Sequence, residues 1–417
     1  MKTTIAALAT GLMCSVAIPA HAQSVRSSVG VSASGSGSTN PFLVPDGEAA
    51  GAVTISVDPQ IFIEDERGRT SLRGNVRYSQ YTNRYGGDEA ASLTANTSYA
   101  IDERTQASAG AFFSTSRTPL RDSLSTGLGG LLLEDGIDNF DVPFLDPAII
   151  GARTRSIRFG AEASASYSLD STSTIGGGIV STFNEFDGPG IDFRDVSGRL
   201  SYSRRLSERA TLSLVGGVSH VDYEGAFGDS LLLTPSVELS LQLSEASSLS
   251  AGVGVSYVDS ETSTGSDDSF VVSGNAQYCN RGRTGALCLG ASHSARPNAF
   301  GTISRVTAFN ANYDMQLSET DRLSFGAQYS RTGNNITDAF FPVDDTVVGG
   351  DVLGDDHSIA FSDDRDLIGA TARYSRQVND RLSLFATPGF ILITDDEDND
   401  ETNFELNVGV TYTFGAR

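Results

Sequence analysis

Apolar residues recur at every second position over long stretches of this chain, most clearly at its end. In "NFELNVGVTYTFGAR", residues 403–417, Phe404, Leu406, Val408, Val410, Tyr412 and Phe414 alternate with Glu405, Asn407, Gly409, Thr411 and Thr413. A period of two marks a strand with one apolar and one polar face. Similar runs fill the sequence and long i, i+3, i+4 patterns are missing, so the chain is predicted to be all-β.

Short turn segments separate the runs. They read "IEDERGRTSL" (63–72), "IDERTQAS" (101–108), "LDSTSTIG" (169–176), "LSERATLS" (206–213), "LSEASSLS" (243–250), "NRGRTGAL" (280–287), "LSETDRLS" (317–324) and "VNDRLSLF" (378–385). From the third to the seventh the spacing stays near 37 residues, the length of a rising strand, a loop and a falling strand. Eight short turns on one side and nine longer loops on the other imply 18 strands, with 16 as the alternative. The strands are expected near 24–36, 51–63, 70–82, 90–101, 105–117, 153–169, 173–185, 193–206, 210–222, 231–243, 248–260, 269–280, 285–295, 302–317, 322–332, 364–378, 381–393 and 402–414.

An even number of antiparallel strands, with short turns at one end and long loops at the other, is the pattern of a transmembrane up-and-down β-barrel. The apolar faces then lean on lipid, and the last strand closes on the first so that no backbone edge is left in hydrocarbon. A large secreted sandwich or β-helix would also alternate, but needs a core of large residues. Here the inward positions read as Ser, Thr, Asn and Arg. Pro59, Pro235 and Pro388 fall inside expected strands, where each removes a ladder bond unless it sits at a bulge or strand start.

The first 22 residues read as a secretory signal: Lys2 is the positive start, Thr4 to Ile18 the apolar stretch, and Ala20-His21-Ala22 the cleavage site. Met13 is too bulky to precede a lipidated Cys14. Residues 23–417 carry no linker and no later apolar run of membrane-helix length, so one barrel domain is expected, placed in a Gram-negative outer membrane. The formal charge of −23, with Lys2 the only lysine, argues against a nucleic-acid partner. Cys279 and Cys288 flank a tight turn in "YCNRGRTGALCL", and a disulfide is favoured there over two free thiols. No further Cys or His lies nearby, so neither a metal nor another cofactor is expected.

The residues Asn407-x-Gly409-x-x-Tyr412-x-Phe414 resemble the C-terminal signal that the barrel-assembly machinery reads, although the tail Gly415-Ala416-Arg417 extends past the usual aromatic end. "VDPQIFIEDERGRTSLRGNVRYSQY" (57–81) and "LGASHSARPNAFGTISRVTAFNANYDMQLSETDRLSFGAQYSRT" (289–332) resemble segments of β-barrel porins associated with exopolysaccharide export. That resemblance implies a conduit for a secreted polysaccharide, working with a periplasmic export protein.

Alternation assigns Arg73, Arg77, Arg158, Glu162, Arg199, Arg322 and Arg373 to the lumen. An arginine on the lipid face near mid-membrane costs about 2–4 kcal/mol, which favours that assignment. Several inward arginines against few inward carboxylates suit an anionic solute. Alternatively the arginines pair with Glu162, Glu405 and loop acids and brace the wall. The acidic segments 337–366 and 395–400 fall in outer loops and read first as solvated charge runs without calcium-loop spacing; the alternative is that divalent cations bridge these carboxylates to lipopolysaccharide phosphates. The two long outer loops are placed at 117–152 and 332–363, and the first carries enough apolar residues to plug the lumen or cover the mouth. His220 with Asp222, and His357 with Asp355 and Asp356, are the only base–orienter pairs, and neither a G-x-S-x-G nor an H-E-x-x-H motif accompanies them, so no catalysis is expected. The leading expectation is a porin exporting an anionic exopolysaccharide. Passive uptake of small anionic solutes, or a structural or adhesive barrel, are the alternatives.

Overall fold

The structure is a computed structural model that describes residues 24–44, 47–117, 155–188, 190–225, 228–262, 265–299, 301–335, 365–395 and 400–415. Residues 1–22, expected to be a secretory signal, the acidic run 396–399 and nearly all of the two expected long loops lie outside these residues. The strands are β1 Ser24–Ser38, β2 Ala50–Glu64, β3 Gly68–Tyr81, β4 Gly87–Ala100, β5 Thr105–Ser116, β6 Arg155–Ser168, β7 Ser173–Asp187, β8 Phe193–Ser207 and β9 Ala210–Tyr223. They continue as β10 Asp229–Gln242, β11 Ser247–Thr262, β12 Gly265–Arg281, β13 Gly285–Pro297, β14 Ile303–Gln316, β15 Asp321–Asn335, β16 Arg365–Gln377, β17 Leu382–Asp395 and β18 Glu401–Gly415.

Every strand pairs antiparallel with its neighbour in sequence, and β18 pairs with β1 from Ser28↔Gly415 to Ser38↔Glu405. The ring of 18 strands is therefore closed. Side chains alternate between a wet bore and an outer belt. Leu200, Val253, Phe270 and Val272 on the outer side are 63–71% exposed. A soluble protein would bury such a belt; in hydrocarbon it is the contact surface, and pairing the last strand with the first leaves the ring without a free terminal strand. The fold and its belt define a transmembrane β-barrel.

The three prolines sit mid-strand, at neither bulge nor strand start. Pro59 keeps its register with β1 (Val29↔Pro59) while the β2–β3 ladder skips from Val57↔Val76 to Gln60↔Arg73. Pro235 and Pro388 likewise pair on one side, with Gly216 and Leu406, and interrupt the other. A missing N–H removes one bond on one side, and the strand on either flank holds the register across the gap.

Seven of the eight short turns share one device. The side-chain oxygen of Asp65, Asp102, Asp170, Ser207, Ser244, Ser318 or Asn379 accepts the backbone N–H two residues ahead, and in five of them also three ahead. These side chains supply the acceptors the turn lacks. The charge matters too. The Arg104 backbone N–H, with the Thr105 hydroxyl, holds the Asp102 carboxyl below its usual value. The Thr172 hydroxyl and backbone N–H do the same for Asp170. The eighth turn is pinned instead by Cys279–Cys288, directly opposed in the β12–β13 register with Cα atoms 4.2 Å apart.

The inner wall is not uniformly polar, contrary to the sequence reading. Val221, Leu232, Val258 and Val271 point inward near the long-loop end and form a buried cluster with Tyr223 and Ile303. A second inner cluster, Phe42, Ala50, Ala52, Tyr81 and Tyr85, lies about half the ring away, under the β1–β2 connection.

Candidate functional site

The bore is the candidate site, and β3 supplies its most regular feature. Val76 and Tyr78 are exposed on the belt, so the odd positions face inward: Arg69, Arg73 and Arg77, four residues apart. The Phe62 ring, on the neighbouring β2, lies under the first two guanidiniums, at 5.5 and 5.2 Å. Arg77 donates to Asp88 at 3.1 Å. Asn75, between them on the same face, donates to Asp58 at 2.5 Å.

The other arginines assigned to the lumen also occupy inward positions. Arg158 lies 5.3 Å over the Phe112 ring. Glu162 lies across Gly110, where an added Cβ would fall 2.6 Å from its carboxylate oxygen. Arg199 donates to Glu238 at 3.1 Å, and Arg322 sits 3.5 Å from Asp314. Arg373 lies 4.3 Å over Phe385. That ring packs on Gly409, where a Cβ would come within 2.6 Å of both the ring and Ser34. Thus Gly409 supports Phe385, which supports Arg373. Asn407 also faces inward, while Tyr412 and Phe414 stack edge-on on the belt, ring centroids 4.6 Å apart.

Two corrections follow. Inward carboxylates are not few: Asp58, Asp88, Glu162, Asp195, Glu238 and Asp314 all face the bore. Acids that alternation did not single out also meet the arginines: Arg69 lies beside Glu64, Arg77 beside Asp88, Arg199 beside Glu238 and Arg322 beside Asp314. Alternation tells which face a residue takes, whereas strand register decides which acid it meets. The two described histidines face outward. His220 lies 4.0 Å from Asp229, and His293 shares a 2.7 Å hydrogen bond with Thr307. His357, Asp355 and Asp356 lie outside the described residues.

The long-loop mouth is narrowed from two sides. On one, Asn40 ties the β1–β2 connection to the ring closure: its N–H donates to Asn403 Oδ1 at 3.0 Å and its side-chain amide to Glu401 at 2.9 Å. Phe42 then packs on Tyr81 and Tyr85, with ring centroids 5.2 and 5.1 Å away. On the other, Asn298, Ala299 and Thr302 carry the β13–β14 tip inward, and the Tyr223 hydroxyl donates to the Thr302 carbonyl at 2.9 Å. Sequence reasoning missed this tip. Its trace is the loss of alternation in "SLLLT" (230–234) and "FVV" (270–272), where both faces of a strand are apolar because both are covered.

No protein-family model matches the sequence, and no curated protein matches it. Among solved structures the barrel is similar to Pseudomonas aeruginosa OccK2 (OpdF) in complex with glucuronate, with a TM-score of 0.44 and 11% identity over 94% of this chain and 98% of that one. It is also similar to a BenF-like porin from Pseudomonas fluorescens, with a TM-score of 0.45 and 11% identity over 95% and 99% of the two chains. The copper transporter OprC gives a TM-score of 0.43 and 10% identity over 94% and 80%. These are likenesses of barrel architecture, and the functional reading rests on the residues of the bore.

Proposed function

We propose that the protein is an outer-membrane porin for small anionic solutes. Barrels of this strand number leave an aqueous channel. The observation that carries the reading is the set of inward guanidiniums laid on aromatic rings, Arg69 and Arg73 on β3 and, at other points of the bore, Arg158 and Arg373. Guanidinium groups set against rings are held in place yet present planar N–H edges to a carboxylate or phosphate. A polymer in export needs an unobstructed mouth, and the two inward clusters favour small solutes over a polysaccharide chain. The terminal strand carries the residues for recognition by the barrel-assembly machinery, and lipopolysaccharide is the neighbour of the acidic loops.

Purified protein in planar bilayers tests this. Under a salt gradient the reversal potential takes the sign of an anion-selective pore, and Arg73→Glu with Arg158→Glu shifts it toward cation preference. A pore indifferent to both substitutions, or no conductance, refutes the reading. Arg77 is unsuited to this test, because a glutamate there would stand against the buried Asp88.

A further inference from the structure

The ladder between β12 and β13 runs from Arg281↔Ala286 to Gly274↔His293 and stops, although β12 extends back to Gly265 and β13 on to Pro297. β12 stays paired with β11 as far as Thr262↔Gly265, and β13 with β14 as far as Pro297↔Ile303. The β13–β14 tip therefore leaves the wall as a unit. It bonds elsewhere: the Ile191 N–H donates to the Ala299 carbonyl at 2.7 Å, and Tyr223 reaches Thr302. Those partners belong to the β7–β8 connection and β9, so the tip lies against the inside of the β8–β12 arc. Ala295 and Ile303, which alternation would turn toward lipid, pack instead on Val221, Leu232, Val258 and Val271.

Two features meet at this place. First, the stretch of β12 that lacks a β13 partner reaches into the lipid belt. Phe270 and Val272 are 67% and 68% exposed there, with the Tyr257 ring tilted beside Phe270 at a centroid distance of 5.0 Å. Barrels normally leave no such edge in hydrocarbon. Second, the inner wall behind it is apolar, and β9, β10 and β11 contain neither arginine nor lysine. Arg73, Arg158 and Arg373 lie on β3, β6 and β16, on other arcs of the ring.

We propose that the seam between β12 and β13 is a lateral gate, with the β13–β14 tip as its leaf, for an amphipathic anion with a carboxylate head and a medium-length apolar tail. The head-group assignment rests on the anion-channel reading; the gate rests on the register. Continuing that register would pair Ser273 with Ser294 and Val272 with Ala295, seating the tip in the wall with Ala295 toward lipid. The same movement uncovers Val221, Leu232, Val258 and Val271 to the bore, where an alkyl tail can cover them. Tip and tail compete for one patch. When the tip folds back, it displaces the tail next to the opened seam, and the tail passes into the outer leaflet.

The test uses full-length protein in nanodiscs with dodecanoate carrying a terminal diazirine. Photolabelling is expected at Val221, Val258 or Val271 and is competed by plain dodecanoate but not by acetate. The pair Ile191→Cys with Ala299→Cys joins segments already held by a backbone hydrogen bond. Once oxidised it lowers inner-wall labelling at least ten-fold, and reductant restores it. Reductant-treated wild type controls for Cys279–Cys288. Labelling of wild type confined to belt residues such as Val253 and Val272, as for bulk lipid, overturns the gate whether or not the locked variant folds. So does inner-wall labelling that the lock leaves unchanged. Anion conductance without inner-wall labelling refutes the gate and leaves the channel; inner-wall labelling without conductance refutes the channel and leaves the gate.

Discussion

Leu200 and Ser201 are neighbours in sequence and stand on opposite sides of the wall. Leu200 is the eighth residue of the 15-residue β8, hence close to mid-membrane, and it is 71% exposed on the belt. Ser201 faces the bore, opposite Gly176. Leu200→Arg places a guanidinium in hydrocarbon near the midplane, a cost of about 2–4 kcal/mol. That lowers the folding equilibrium constant roughly 30- to 700-fold, at about 1.4 kcal/mol per decade. Ser201→Arg places the same group in water on the face that carries Arg199, where repulsion at about 4 Å amounts to roughly 1 kcal/mol before salt screening. Urea titration of each variant folded into lipid vesicles, followed by the mobility shift of folded barrel on gels, measures both. Leu200→Arg is expected to lose at least 1 kcal/mol more than Ser201→Arg, and added salt to recover only the second loss. Equal losses, or a larger one at Ser201, would refute the assignment of faces on which every statement about the bore depends.

Gly409→Val puts a branched side chain where even a Cβ falls 2.6 Å from Phe385 and 2.7 Å from the Ala33 carbonyl. Overpacking of this kind costs about 1–3 kcal/mol, and slower assembly into vesicles than wild type is the expected readout. The depressed carboxyls of Asp102 and Asp170 make the short turns sensitive to acid. Each native carboxyl sits below its unfolded value, so its contribution is complete above that value and is lost as pH falls through the lower, native one. Relative to Asp102→Asn with Asp170→Asn, wild type should lose its advantage in urea titrations as pH drops through and below the usual value of 3.8, and show a constant difference above pH 5 or so.

Strand positions were legible because lipid imposes one apolar face on every strand, as in Phe404, Leu406 and Val408. The short turns were legible for a local reason: Asp65, Asp102, Asp170 and Asn379 cap the N–H groups two and three residues ahead, so each signature is complete within a few residues. The inward fold of the β13–β14 tip was not. Residues 285–295 and 302–317 alternate like any wall strands, and what draws their tip inward is Ile191, Tyr223 and Val258, far away in sequence. The salt-bridge partners were hidden for a related reason, since Arg199 meets Glu238 only through the β8–β9 and β9–β10 registers.

Whether the bore arginines brace the wall or bind solute is decided by burial rather than by pairing alone. Arg77 and Asp88 have side chains 12% and 1% exposed, so water competes poorly and a passing carboxylate cannot reach Asp88's place. Arg199 and Glu238 have nearly the same separation, 3.1 Å, but their side chains are 60% and 32% exposed. A pair so wetted contributes only about 0–1 kcal/mol, comparable to what a solute carboxylate offers, so Arg199 can exchange partners as the solute passes. Arg77→Gln should therefore lower stability by roughly 1.5–3 kcal/mol, because it removes a charged donor from a buried carboxylate. Arg199→Gln should leave stability within about 1 kcal/mol of wild type and reduce the anion preference of the pore. Urea titration and reversal potential, measured on both proteins, separate the two roles. If Arg199→Gln destabilised the barrel as much as Arg77→Gln and left selectivity unchanged, exposure would not be what distinguishes a brace from a binding group, and the bore would have to be read as bracing throughout.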